Sequence, residues 1–214
     1  EVCPVNNFLH SLFSQVDISL NGTLITSSTN TYPYRAYIED LLSYGSESKE
    51  SQLTASLFYK DTPGKMGVAN SRAAVADRNH GLTTRSLFTN QSRVVDLIGR
   101  LHSDIFFQER YMLNEVNTKI RLLRSRDNFC LMSTGQFKVK IMAASLFFRK
   151  VKVSPSVFLA HAKTLETSLA KYPVRRVVCK TFTIPTGHLD ATNEKLFTGQ
   201  LPRRVVIGLV DNEA

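Results

Sequence analysis

The chain has 214 residues, 27 Lys/Arg against 18 Asp/Glu, and a formal net charge of +9. Hydrophobic residues make up 43% and charged residues 21%, a globular rather than a disordered balance. No uncharged apolar run approaches the roughly 18 residues a membrane helix needs, and a chain this long buries roughly 70% of its unfolded surface without a disulfide or metal staple.

The start, Glu1-Val2-Cys3-Pro4, has no Met and no basic-then-apolar signal. It reads as an interior start. The two sequons, Asn21-Gly22-Thr23 and Asn90-Gln91-Ser92, are then chance matches. Cys3, Cys130 and Cys179 cannot all pair and form no CxxC, so reduced thiols and an intracellular setting are expected.

Val16, Ile18 and Leu20 alternate with Gln15, Asp17 and Ser19, as one buried sheet face requires. Asn21-Gly22 supplies a type I′ turn, because both residues tolerate positive φ. The strand then returns over 23–26, placing Leu20 opposite Thr23 and Ile18 opposite Ile25. A helix is predicted from Pro33 to Gly45, with Tyr34, Tyr37, Ile38, Leu41 and Leu42 as its apolar stripe. A short helix follows at 52–59, and Asp61-Thr62-Pro63-Gly64 is turn chemistry. Residues 62–92, punctuated by Gly64, Gly67, Asn70, Asn79, His80 and Gly81, carry no sustained period and read as an irregular excursion.

From Val94 the pattern turns to β. Strands are predicted over 94–102 (continuing or bending over 104–108), 116–123, 137–142 and 145–153. Ser154-Pro155 opens a helix with stripe Phe158, Ala162, Leu165 and Leu169, ended by Pro173. Strands are predicted again over 174–184 and 203–210. Short strands separated by turns, with no βαβ alternation, predict a mainly β fold: an antiparallel jelly-roll sandwich with inserted helices and the beginning of a second such unit.

Few residues suggest chemistry. The histidines, at 10, 80, 102, 161 and 188, are scattered, and a zinc site would have to gather ligands from distant strands. His102-Ser103-Asp104 and His10-Ser11 are adjacent in sequence, so on a strand their side chains point to opposite faces and cannot form a hydrolytic relay. No phosphate loop, dinucleotide fingerprint or nucleophile elbow is present. No enzymatic activity, cofactor or metal is expected.

Charge is more informative. Residues 110–180 hold 15 Lys/Arg against 3 Asp/Glu, a net +12, and the remainder is −3. Arg121, Arg124, Arg126, Lys138, Lys140, Lys150 and Lys152 are the candidate polyanion-facing or interface residues. The four lysines alternate with apolar neighbours, and a shared sheet over 116–124 and 137–153 would gather all seven on one outer surface.

Seven stretches, PVNNFLHSLFSQVDISLNG, TYPYRAYIEDLLSYG, SQLTASLFYKDTPG, VVDLIGRLHSDIFFQERYML, FRKVKVSPSVFLAHAKTLE, AKYPVRRVVCKTFTIP and FTGQLPRRVVIGLVDNEA, resemble the major capsid protein of Maverick/Polinton elements and its relics in invertebrate genomes. The resemblance runs from about Val5 to Ala214 and is weakest over 66–92. It implies a double jelly-roll subunit whose trimers build an icosahedral shell. Residues 1–153 would then be most of the first jelly roll, with a helical insertion at 33–60 and an excursion at 62–92. Residues 154–172 would be a linker helix, and 173–214 the start of the second jelly roll. The implied partners are copies of the chain itself and packaged DNA held without base specificity, in a virion or inside the cell. A basic β-sandwich binding nucleic acid or another polyanion is the alternative.

Overall fold

The computed structural model describes residues 2–210 except 134, 189, 194, 195 and 198. The first strand, β1 (Val2–Pro4), leads through the left-handed residue Asn7 into a one-turn helix, α1 (Phe8–Ser11). The hairpin of β2 (Phe13–Leu20) and β3 (Thr23–Leu24) follows. Its turn residues Asn21 and Gly22 take φ of 48° and 83°, and Leu20 pairs with Thr23, as a type I′ turn requires. The Ile25 amide donates to the Ile18 carbonyl at 2.9 Å, so the two isoleucines face each other as predicted.

Helix α2 (Tyr32–Ser43) lies where the sequence put one, but it buries a different face. Tyr32, Ala36 and Asp40, at i, i+4 and i+8, point inward, whereas Tyr34 and Leu42 are exposed. The helix turns its mixed polar side to the interior because hydrogen-bond partners wait there. A short helix, α3 (Ser46–Glu50), and a 3-10 segment, Gln52–Ser56, follow.

The irregular excursion expected over 62–92 contains a ten-residue helix, α4 (His80–Thr89). The Asn79 Oδ1 caps it by accepting from the Leu82 amide, and the Thr62 hydroxyl accepts from the His80 amide. The residues that look like loop punctuation are therefore helix-start chemistry. Gly81 is needed for packing: a Cβ there would sit 2.7 Å from the carbonyl oxygens of both Tyr59 and Lys60. The close approach lets Arg85, only 1% exposed, reach across the chain. Its guanidinium donates to the Pro4 carbonyl at 2.9 Å, the Tyr59 carbonyl at 2.8 Å and Asp61 Oδ1 at 2.9 Å. One side chain thus ties α4 to β1 and to 59–61.

Downstream, β4 (Thr118–Arg124) pairs antiparallel with β2, with Ile120 opposite Ile18 and a register shift between Phe13 and Gln15. A one-turn helix, α5 (Asp127–Cys130), leads into β5 (Leu131–Ser133), which pairs with β1. Two small apolar cores result. Phe8, Leu12, Leu57 and Cys130 form one, and Val16, Ile18, Tyr32 and Ile105 the other.

The jelly-roll expectation is overturned. About 30% of the chain is helical and 11% is strand. The sheets have two and three strands, in the orders β1-β5 and β3-β2-β4. Residues 94–102 run irregularly into a 3-10 segment, Asp104–Phe107. The strands predicted over 137–142, 145–153, 174–184 and 203–210 do not form. Alternation decides which face a strand would bury, but a strand exists only where a neighbour completes its backbone ladder. Among the described residues no such neighbour lies beside these runs. Helix α6 (Pro155–Leu165) begins after Ser154 as predicted, with its apolar side chains exposed. The chain divides into two compact units, Glu1–Cys179 and Lys180–Ala214. Among the described residues no helix is long and apolar enough to cross a membrane.

Two substitutions test these assignments. Gly22→Val forces a β-branched residue into positive φ and should destabilise the hairpin by roughly 1–3 kcal/mol in chemical denaturation. Arg85→Met removes a buried cation, orphans two carbonyls and leaves Asp61 unpaired; a loss of roughly 3–5 kcal/mol is expected, and a loss below about 1 kcal/mol would show that the Arg85 bonds are not what holds α4.

Candidate functional site

Three side chains from distant segments meet in the interior: His10 of α1, Asp40 of α2 and His102 from the run preceding Asp104–Phe107. All three are buried, and a ring nitrogen of each histidine and a carboxylate oxygen of Asp40 lie within 4.8 Å of one another. The two rings pack edge to face, with centroids 4.7 Å apart.

Local structure explains how they arrive there. Asn7, at φ 55°, turns the chain so that α1 starts beside α2. The Asn7 carbonyl accepts from the His10 and Ser11 amides, and its side-chain amide donates to Asp40 Oδ2 at 2.7 Å. Ser56 Oγ donates to Asn7 Oδ1 at 3.1 Å, which fixes the orientation of that amide. Ala36, with no side chain beyond Cβ and no exposure, lets the helix approach closely.

Each ring nitrogen that can be placed has a defined neighbour. His10 Nδ1 lies 3.0 Å from the Tyr32 hydroxyl. His102 Nδ1 lies 2.7 Å from Glu39 Oε2, and His102 Nε2 lies 3.3 Å from Asp40 Oδ1. Glu39 in turn receives Arg35 Nε at 2.9 Å, and Arg35 also reaches Asp104 Oδ1 at 2.5 Å. The result is a continuous chain of groups: Asp104, Arg35, Glu39, His102, Asp40, Asn7, Ser56.

The two histidines are shifted in opposite directions. Burial, reinforced by the nearby His102 charge, pushes His10 down to about 3, so it is neutral. Burial also pushes His102 down, but its hydrogen bonds and charge attraction to Asp40 and Glu39 outweigh that and raise it above 6.5. Glu39 is likewise pushed up by burial, yet the His102 hydrogen bond and Arg35 bring it below its ordinary value. Burial raises the Tyr32 phenol, keeping it protonated. A groove beside this chain is lined by Tyr32, Arg35, Asp104 and Cys179, and by neither histidine.

No sequence signal marked this cluster. Its members lie dozens of residues apart and are gathered from distant segments, as the scattered histidines require of any such cluster, with a helix face carrying Asp40 inward.

The seven basic residues predicted from the sequence are all exposed. Arg121 and Arg124 lie on β4, Arg121 across from Asp17, and Arg124 3.3 Å from Asp127 and bonded to the Val139 carbonyl. Arg126 precedes α5. Lys138, Lys140, Lys150 and Lys152 lie in the extended run 136–153, which does not pair with β4; the neighbour of β4 is β2. The single sheet that was to gather all seven is absent among the described residues.

No protein-family model matches the chain, and no solved structure matches it. It is similar to an uncharacterized protein of Caenorhabditis elegans, with 27% identity over 216 residues that cover 99% of this chain and 48% of that protein. The chain thus spans about half the length of the curated relative it matches.

The histidines predict a pH signature in chelator-treated protein. The folded-state value of His10 lies below its unfolded value, so its contribution is present above about pH 6.5 and is lost as pH falls from there toward 3. The raised His102 has the opposite sign: its contribution is complete below about pH 6.5 and declines as pH rises through its folded value. His10→Gln should remove a stability slope of about 1.4 kcal/mol per pH unit on the acid side. His102→Gln should flatten the alkaline side instead. Identical pH profiles for both variants, measured by denaturation, would contradict this assignment.

Proposed function

We propose that the chain is part of a structural, self-assembling subunit of the capsid type, which associates with copies of itself. One observation carries the reading: apart from Val139, which packs on the first apolar core, the apolar side chains of 136–153 and α6 stand exposed along extended or helical backbone. Phe147 is 81% exposed, and Phe148, Val151, Leu159 and Leu165 are exposed as well. The second unit repeats the pattern, with Ile207 81% and Leu209 87% exposed. Exposed apolar side chains in this number are typical of residues that become interior on association. Antiparallel pairing of the alternating runs with another chain would satisfy their backbone groups at the same time. The resemblance to capsid proteins supports the same reading and supplies the expectation of three copies around an axis, joined by heterologous contacts.

The exposed cations fit this role too. Lys138, Lys140, Lys150 and Lys152 occupy the same run as the exposed apolar residues, so an assembled subunit would carry a basic strip suited to phosphates and lacking base readout.

The full-length protein should form multimers over a wide concentration range in light scattering. Phe147→Ser combined with Phe148→Ser should lower the multimer mass while changing the stability of the single chain by no more than about 0.5 kcal/mol per site. Association should persist at high salt, because apolar burial is not screened. A folded monomer at every concentration, binding DNA with an affinity that falls steeply with salt, would overturn the assembly reading and support the polyanion-binding one.

A further inference from the structure

We propose that His10, Asp40 and His102 form a binding site for a divalent transition-metal cation of the zinc class. Two histidines and one carboxylate are a donor set that zinc accepts, and here they converge within 4.8 Å in the interior. His102 Nε2 and Asp40 Oδ1 are 3.3 Å apart. That is close to the ligand separation around a tetrahedral zinc ion with bonds of about 2.0–2.1 Å.

A second, independent feature points to a cation. The outer partners orient the donors toward one common point. Glu39 on His102 Nδ1 and Tyr32 on His10 Nδ1 leave Nε2 of each ring on the inner side, and the Asn7 amide on Asp40 Oδ2 leaves Oδ1 there; the His102 Nε2–Asp40 Oδ1 contact of the ion-free form is the one the cation would replace. Carboxylates and hydroxyls in this position fix the ring tautomer and raise the basicity of the ligating nitrogen. The formal charges agree. Counting both histidines as neutral, Asp40, Glu39 and Asp104 carry three negative charges against the one positive charge of Arg35. A dication, bound by neutral rings, brings this partly buried chain to zero. Binding displaces any proton on the ligating nitrogens to solvent and involves no electron transfer. Three protein ligands leave a fourth position for water. The site would hold α1, α2 and the 93–103 run together, whatever the oligomeric state.

The test uses full-length protein stripped with chelator and titrated with Co²⁺, then with Zn²⁺. One equivalent of Co²⁺ should produce the visible absorption of a tetrahedral ion, and Zn²⁺ should displace it. In ¹⁵N-resolved spectra of the wild type, Co²⁺ should shift or broaden the ring signals of His10 and His102 and spare His80 and His161. Glu39→Gln, which keeps the three ligands, should weaken Zn²⁺ binding by about 10–100-fold. No Co²⁺ band in folded wild-type protein, or perturbation confined to His80, His161 or His188, overturns the site. Unchanged Zn²⁺ affinity in a folded Glu39→Gln variant overturns the role of Glu39; if that variant does not fold, the wild-type spectra decide alone.

Discussion

A carboxylate inside a helix must be answered from outside that helix, and Asp40 imposes this condition on the whole first unit. It is 1% exposed. Two partners from separate segments answer it: the Asn7 amide on one oxygen and His102 on the other. Each partner needs support of its own. Asn7 adopts a left-handed backbone, and Ser56 and the Leu57 carbonyl hold its side chain and amide. His102 needs Glu39, and Glu39 needs Arg35. An unpaired buried charge would cost several kcal/mol, so the order of these segments in space follows from where Asp40 is placed.

Arg85 repeats the logic at the other end of the unit with the opposite sign. Its cation is shared among two carbonyls and Asp61 rather than matched by a single anion. In a unit whose apolar clusters each contain only four buried residues, directional bonds to buried ions have a large part in choosing one arrangement. Apolar contact is non-directional and would tolerate several. The pairs themselves contribute little net stability over apolar replacements, while removing one partner is expensive. Their effect is to exclude misarranged packings more than to deepen the native one.

The same asymmetry explains what could be read from the residues alone. The hairpin at Asn21-Gly22 was legible because turn chemistry and alternation are local and agree in register. The existence of α2 was legible, but its buried face was not. A stripe of Tyr34, Tyr37, Ile38, Leu41 and Leu42 outranks one containing Asp40 on hydropathy, and only the distant partners of Asp40 reverse that order. Helix α4 was hidden because Asn79, His80 and Gly81 resemble a turn. Their actual roles, a cap and a close approach to 59–61, depend on Thr62 and on the backbone across the gap. The alternating runs after Phe137 were misread for the converse reason: a pattern was present without a neighbouring strand. The cluster of His10, Asp40 and His102 left no trace in spacing at all, since it depends on three separate segments meeting.

The pairing of β2 with β4 and of β1 with β5 joins positions about a hundred or more residues apart. During synthesis at about 5–20 residues per second, β1 and β2 therefore emerge on the order of ten seconds before their partners exist. Over that interval the finished hairpin presents an unpaired edge to the crowded surroundings of the ribosome. The same interval delays α1, whose Ser11 carbonyl accepts from the Cys130 thiol of α5. Long-range closure of this kind makes folding slow relative to helical bundles of equal size. Neighbouring nascent chains on one messenger would meet while these edges are open, so the spacing of ribosomes sets how long an unpaired edge is exposed to another like it.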